Sequence, residues 1–171
     1  MDELDGLGVL AHLGVHDFDL AAYLTGSPAQ VRDAVGRGAR ESGPEDLAHV
    51  LIATASGALG HIYVDRTSAA KHRTVRVTTP RWIYDGDLLA HRLVRTRRDN
   101  GATSELPLPA DEPLLMQARA LADALDGARP TPLATGADGA QALALAERAA
   151  ARISHQSTVF SPQPERASAD G

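Results

Sequence analysis

The stretch from Leu10 to Gly26 reads LAHLGVHDFDLAAYLTG, and its pattern decides how the first part of the chain folds. Its apolar residues recur with a period of about 3.6, and no residue between them breaks a helix. These apolar residues are Leu10, Leu13, Phe18, Ala21 and Leu24. Gly26 and Pro28 follow at positions where helices commonly stop. The sequence therefore predicts a helix over this stretch.

Two histidines and a carboxylate share one face of this predicted helix. His12 and His16 lie four residues apart, and Asp19 follows one turn later. Two imidazoles beside a carboxylate can carry acid and base chemistry. The same spacing also allows two nitrogen ligands for a metal, with Asp19 as a third. Because no glutamate follows the first histidine, as it does in the zinc-protease helix motif, we prefer the interpretation without a metal.

Downstream of the helix, short apolar stretches alternate with turn-forming pairs, which predicts consecutive antiparallel strands. The turn-forming pairs are Ser56-Gly57, Asp85-Gly86 and Asn100-Gly101. Two further helices are predicted from Asp111 to Gly127 and from about Asp138 to Ile153. The predicted fold class is α+β, with an open, predominantly antiparallel sheet of about six or seven strands and helices packed on one face.

The chain has 171 residues, and residues 1–154 are predicted to form a single domain. Residues 155–171 are polar and contain proline, which predicts a disordered tail. The second face of the sheet mixes Val and Leu with Thr, His and Arg. This mixture favours a subunit interface and thus a homo-oligomer, and a solvated face is the alternative.

Composition narrows the functional classes. The net charge of -5 and the pI of about 5.7 argue against a nucleic acid or an anionic membrane as partner. The chain has no cysteine, which excludes disulfides and thiolate sites. It shows neither a signal peptide nor a stretch long enough to span a bilayer, so a cytoplasmic location is expected. Residues 6–11 match a dinucleotide-binding fingerprint, but no strand can precede them, and we reject that match.

Three segments resemble the Gfo/Idh/MocA oxidoreductases, the family of glucose-fructose oxidoreductase and inositol dehydrogenase. Residues 8–19, GVLAHLGVHDFD, resemble the helix signature that opens the second, substrate-binding domain of these enzymes. Residues 45–62 resemble the first long hairpin of that domain, and residues 127–143 resemble its closing helix-loop-helix. The resemblance runs in the family's order from about residue 8 to residue 153. It implies that members associate through their sheet.

The resemblance assigns roles to residues of the first helix. It places the histidine at the position of His16, and an aspartate four residues earlier, beside the substrate hydroxyl for proton transfer. In this chain the earlier position holds His12, which removes the negative partner. For His16 the resemblance favours a catalytic role, and for His12 a catalytic and a structural role both stay open. Asp17 and Asp19 match the signature and are candidates for orienting a histidine or contacting substrate.

Basic residues outside the helix supply further binding candidates. Lys71, His72 and Arg73 follow a predicted strand, where the substrate loops of the family tend to lie, and are candidate substrate contacts. A second group of arginines could bind a phosphate or carboxylate, or could be a solvated strand face balanced by acidic neighbours. This group consists of Arg92, Arg95, Arg97 and Arg98, with Arg73 and Arg76 on a possible neighbouring strand.

The family's nucleotide-binding domain has no counterpart in this sequence. The chain alone is therefore not expected to bind NAD(P), which would reach it only through a separate nucleotide-binding chain. The first hypothesis is the substrate-binding and oligomerisation half of an oxidoreductase acting on a sugar- or polyol-like substrate. The second is a cofactor-independent isomerase, lyase or cyclase that uses His12 and His16, and a weaker third is a non-catalytic binding or scaffold subunit. An exposed apolar patch along the first helix would favour the first hypothesis. A closed polar pocket around the histidines would favour the second hypothesis.

Overall fold

The computed structural model describes residues 7–38, 43–127 and 133–157. The described residues form three α-helices, one π-helical turn and seven β-strands. The helices are α1 (Val15–Thr25), α2 (Pro113–Leu125) and α3 (Gly136–Ser157), and the π-helical turn spans Leu10–Gly14. The strands are β1 (Ala29–Arg37), β2 (Leu47–Thr54), β3 (Leu59–Asp65), β4 (Thr74–Thr78), β5 (Trp82–Asp87), β6 (Arg92–Arg97) and β7 (Thr103–Leu106).

The chain divides into two compact units. The first unit takes residues 1–67 and 134–171, and the second takes residues 68–133. The first unit contains the π-helical turn, α1, α3 and an antiparallel sheet in the order β1-β2-β3. The second unit contains α2 and an antiparallel meander in the order β4-β5-β6-β7.

The first unit is built around a hydrophobic core on one face of its sheet. Alternate strand residues point to the same face, and here Ala34, Val50 and Ile62 lie side by side in the register and are buried. Helix α3 packs on β1 and on α1, and contributes its own buried stripe to the core. The buried residues of that stripe are Ala142, Leu145, Ala146, Ala149 and Ile153. Val9, Leu10 and Phe18 close the core from the first helix with no exposed surface.

The sequence predicted most of these elements. The helix from Leu10 to Gly26 is confirmed, although its first five residues form a π-helical turn, and it ends at Gly26 in a left-handed conformation with φ of 58°. The turn at Asn100-Gly101 is confirmed between β6 and β7. The turn predicted at Asp85-Gly86 is wrong, since both residues lie inside β5.

The chain turns instead at residues 88–91, directly after β5. The carboxylate of Asp87 accepts hydrogen bonds from the backbone of Leu89 at 3.0 Å and of Ala90 at 2.9 Å. His91 closes the turn with φ of 50°, a conformation that residues with side chains seldom adopt. A side-chain cap from Asp87 therefore sets this turn, which the Asp-Gly pair before it does not predict.

The predicted α+β class with antiparallel strands is confirmed. The seven strands are divided, however, between two sheets, because residues 66–73 between β3 and β4 form no strand that could continue the hydrogen bonding. The single domain predicted over residues 1–154 stays a prediction. Helix α3 continues to Ser157, and the rest of the predicted tail, residues 158–171, lies outside the described residues.

Candidate functional site

The first helix begins on a buried carboxylate. Glu45, only 9% exposed, accepts a hydrogen bond at its Oε1 from the backbone N–H of Leu10 at 3.1 Å. Its backbone carbonyl accepts a second one from Val9 at 2.8 Å. A carboxylate at this position satisfies an N–H group that the helix leaves free and complements the positive end of the helix dipole.

Gly8 makes room for that carboxylate. A Cβ atom built on Gly8 would lie 2.0 Å from Oε1 of Glu45, which no rotamer adjustment of a larger residue at position 8 could avoid without displacing the carboxylate. Position 8 therefore requires glycine as long as Glu45 keeps its place. Oε1 thus occupies the position at the start of this helix where a bound anion would otherwise lie.

A second contact holds the segment before the helix. Arg66, just after β3, donates from its guanidinium to the backbone carbonyl of Leu7 at 2.9 Å and forms an ion pair with Asp46. Both partners of that ion pair are largely buried, at 26% and 19% side-chain exposure. The ends of β2 and β3 thus fix where the helix starts, and with it the positions of the histidines.

The two histidines lie at the junction of the π-helical turn and α1. The N–H of Val15 bonds to the carbonyl of Leu10, five residues earlier, which defines the wider turn. His12 lies inside this turn and is half-buried, whereas His16 lies in the first turn of α1 and is exposed. Within the described ranges neither imidazole has a hydrogen-bond partner. Single π-helical turns inside helices are frequent at functional sites.

Asp17 and Asp19 follow His16 on α1 and are half-buried. Asp17 lies in the first turn of the helix, where a negative charge is favourable. Asp19 lies three residues after His16, a spacing that places the two side chains on neighbouring parts of one face. Their roles toward the histidines and the substrate stay predictions.

The exposed face of α1 that carries His16 is largely apolar. Leu13 is 36% exposed, Tyr23 68% and Leu24 48%. They lie three residues before, and seven and eight residues after, His16, which are the spacings of one helical face. Phe18 points the other way into the core. An exposed apolar patch along the first helix, the feature that favours the first functional hypothesis, is therefore present.

The remaining predicted site residues lie in the second unit. Lys71, His72 and Arg73 are exposed and precede β4. A shallow cavity of about 620 Å³ in this unit is lined by His91 and residues 105–110, and none of the predicted site residues lines it. In the described part of the chain, no group of three or more His, Asp or Glu side chains could hold a metal ion.

Half of the predicted arginine group is balanced by acidic neighbours. Ion pairs join Arg76 to Asp85, Arg92 to Glu105 and Arg97 to Asp99. The Arg97 guanidinium, hydrogen-bonded to Asp99, holds the pKa of that carboxyl below its ordinary value. These three arginines therefore fit the interpretation of a solvated strand face balanced by acidic neighbours, and not that of an anion site.

Comparison with protein families gives one match. The model described as the GFO/IDH/MocA C-terminal domain matches residues 1–82. This segment is similar to the C-terminal domain of the Gfo/Idh/MocA oxidoreductases. The resemblance predicted from the sequence is confirmed over these residues, which include the first helix, Glu45 and the three-stranded sheet.

Solved structures show the same fold over most of the chain. The UDP-N-acetylglucosamine 3-dehydrogenase of Acidithiobacillus ferrooxidans has a TM-score of 0.77 at 20% identity, covering 92% of this chain and 50% of its own. An NAD binding oxidoreductase from Klebsiella pneumoniae has a TM-score of 0.75 at 17% identity, covering 88% and 50%. Aldose-aldose oxidoreductase from Caulobacter crescentus, complexed with glycerol, has a TM-score of 0.70 at 22% identity, covering 87% and 46%.

The chain thus spans about half the length of the solved structures that it matches. A search of curated proteins gives no match. None of the helices in the described ranges is both long and apolar enough to cross a membrane. Sequence reasoning missed Glu45 as the residue that anchors the helix. The signal was a glutamate at the start of a predicted strand beside an apolar run, which indicates burial only once the fold is known.

Proposed function

We propose that this domain is the substrate-binding half of an oxidoreductase acting on a sugar- or polyol-like substrate. In this proposal a separate chain provides the nucleotide-binding unit and the NAD(P). The Gfo/Idh/MocA segment and the sugar-acting oxidoreductases among the solved structures of this fold support it. The observation that carries the proposal is the exposed apolar face of α1 beside His16.

That face has the chemistry of a docking surface. Tyr23 and Leu24 lie within one turn of each other and together expose a tyrosine ring and an isobutyl group, two helical turns from the exposed His16. Tyrosine is enriched in interfaces because it buries a large apolar ring and keeps a polar tip. A nucleotide-binding unit seated on this face would cover the helix and enclose the substrate beside His16.

In the proposed reaction the residues of this chain bind the substrate and move a proton. A nicotinamide held by the partner chain would supply a hydride acceptor for the carbon that carries the hydroxyl. The exposed imidazole of His16 accepts the proton of that hydroxyl at a ring nitrogen. His12 lies one turn earlier, where a second imidazole can orient the substrate or relay a proton but supplies no negative charge. Asp17 and Asp19 provide the carboxylates nearest in sequence.

The outward face of the three-stranded sheet is the proposed contact with a second copy of the chain. Its exposed apolar side chains are Val35, Leu51, Leu59 and Tyr63. Next to them His49 and His61 are joined by a hydrogen bond of 3.0 Å between Nδ1 and Nε2, and the ring of Tyr63 packs on His49 at 4.7 Å. A patch of this composition on a monomer is typical of subunit interfaces.

A gentle purification of the tagged chain from its native host tests the proposal. We expect a nucleotide-binding chain to be recovered in equal amounts, together with nicotinamide. Leu24→Asp should release that chain, because a charge enters the apolar face of α1. Leu51→Asp is the matched control, since it places the same charge on the outward face of the sheet and should leave the nucleotide-binding chain in place.

His16→Ala then tests the chemistry in the recovered complex. It should reduce kcat by about 100-fold or more and leave the complex assembled, because loss of a general base removes a rate factor of that size. Unchanged turnover would remove His16 from the mechanism. Recovery of the chain alone, as a homo-oligomer without nucleotide, would overturn the proposal and favour a cofactor-independent enzyme that uses His12 and His16.

A further inference from the structure

One face of the four-stranded sheet carries two aromatic and two arginine side chains in register. Trp82 pairs with Arg97, and Tyr84 pairs with Arg95, across the β5 and β6 strands. Directly paired residues and alternate residues of antiparallel strands share one face. The four side chains therefore form a continuous patch, which we call the Trp82 patch, on the face opposite to Arg92.

Arg95 is held in this patch from two sides. Its guanidinium carbon lies 4.7 Å from the centroid of the Trp82 ring, within the range of a cation–π contact. Its Nε donates a hydrogen bond to Oγ of Ser104, its direct partner on β7, at 3.0 Å. Among the described residues, the two terminal nitrogens of the guanidinium make no hydrogen bond. The side chain is thus pre-ordered before any ligand arrives.

The charge of Arg95 is not balanced by the protein. The other arginines of β4 and β6 each have a carboxylate, as in the pairs of Arg92 with Glu105 and of Arg97 with Asp99. Among the residues that the structure describes, Arg95 has no carboxylate partner, although it is half-buried. The Arg97 guanidinium lies 5.8 Å from the centroid of the same indole ring, but its charge is balanced by Asp99, so Arg95 supplies the uncompensated charge of the patch.

We propose that the Trp82 patch binds an oxyanion, a carboxylate or a phosphate, of a small ligand. The planar terminal nitrogens of Arg95 match two oxygens of either group, and such bidentate pairs are the strong ones. The half-buried position weakens the competition from water. The rings of Trp82 and Tyr84 provide flat surfaces for the carbon skeleton that carries the anion. This site lies in the second unit and does not depend on the proposed oxidoreductase function.

Trp82 allows a direct test, because it is the single tryptophan of the chain. Its fluorescence is followed while the protein is titrated with inorganic phosphate and, separately, with glucuronate. Ionic strength is held constant with sodium chloride. We expect a saturable change with at least one of the two probes, and the probe that gives it identifies a phosphate or a carboxylate as the preferred group.

Arg95→Gln should weaken binding by about tenfold or more, because a hydrogen bond to a charged group is lost with the charge. Arg92→Gln is the matched control: it removes the same charge from the same strand on the opposite face and should change affinity by less than about twofold. Arg95→Lys keeps the charge and loses the planar fork, so it should weaken binding by about threefold or more. Circular dichroism establishes that each variant is folded.

Three results would overturn the proposal. The first is an equal fluorescence change on adding sodium chloride alone, which would mean general screening. The second is equal loss of affinity in Arg92→Gln and Arg95→Gln, which would mean that net charge and not the patch attracts the anion. The third is the absence of a saturable response to either probe in the folded wild-type protein.

Discussion

Every hydrophobic side chain that is buried in the described part of the chain belongs to the first unit, whereas the strands of the second unit carry side chains that stay half-buried or exposed. The first unit combines helix stripes and one sheet face into a single core. The second is held by its backbone ladder, by the turn at Asp87 and by ion pairs between neighbouring strands. Stability is thus expected to come from burial in one unit and from local pairs in the other.

The largest effect is expected in the core of the first unit. Phe18→Ala removes a ring with no exposed surface and should lower the free energy of unfolding by about 3–5 kcal/mol. Far-UV circular dichroism during urea unfolding measures it. Leu143→Ala, at a residue of α3 that is 44% exposed on the same unit, is the control and should change little.

Phe18→Ala also tests whether the two units unfold separately. Trp82 fluorescence reports the second unit alone, so Phe18→Ala should shift the dichroism midpoint more than the fluorescence midpoint. Equal shifts of both midpoints would show that the two units unfold together. The two units would then differ in the contacts that they contain but not in their stability.

The anchor of the first helix should have the next largest effect. Glu45→Ala removes a buried hydrogen bond to Leu10 and should cost about 2 kcal/mol. Glu105→Ala, an exposed glutamate of the second unit, is the matched control. If Glu45→Ala cost no more than Glu105→Ala, the carboxylate would not stabilise the helix start.

A smaller effect is expected at the start of α3. Thr135 and Asp138 form a reciprocal cap, in which the Asp138 carboxylate accepts from the Thr135 hydroxyl at 2.6 Å and from its N–H at 2.7 Å. Thr135→Ala should cost about 1 kcal/mol, and Thr135→Ser should restore the loss.

The cap also has a pH dependence whose sign follows from its hydrogen bonds. Those from Thr135 lower the pKa of Asp138 below its ordinary value of 3.8. Its contribution is therefore present above pH 3.8 and is lost as the pH falls through the lower value of the folded protein. The difference between wild type and Thr135→Ala should shrink in acid, and a constant difference would contradict this cap.

The smallest effect is expected in the second unit. Arg92→Gln breaks an ion pair whose partners are 59% and 60% exposed, and should cost less than about 0.5 kcal/mol. High salt should remove even this difference, because exposed pairs are screened. If Arg92→Gln lowered the free energy of unfolding as much as Glu45→Ala, the two units would not differ in what stabilises them.

The sequence predicted what depends on periodicity and on local turn chemistry. The first helix, the seven strands and the two later helices follow from spacings of 3.6 and 2 residues. The turn after β5 does not follow from these spacings, because the cap from Asp87 outweighs the preference of the Asp-Gly pair. The division into two sheets does not follow from them either, because it depends on residues 66–73 forming no strand.

At the candidate site the sequence predicted that His12 and His16 lie on one helix, but it did not predict the environment of either imidazole. Whether an imidazole is exposed or half-buried depends on which strands close around the helix, and spacing along the chain contains no such information. Glu45 and Arg95 illustrate the same limit, since burial marks the first and the missing counter-charge marks the second. The burial of Glu45 and the missing counter-charge of Arg95 both depend on the tertiary structure.

The π-helical turn of Leu10–Gly14 also makes the geometry of the two histidines adjustable by single residues. One residue removed from that turn would convert it to α-helix and rotate everything before it by about 100° relative to α1, while the core side of Phe18 stayed in place. The angle between His12 and His16 could thus change in evolution, or in the laboratory, through a one-residue deletion that leaves the rest of the helix intact.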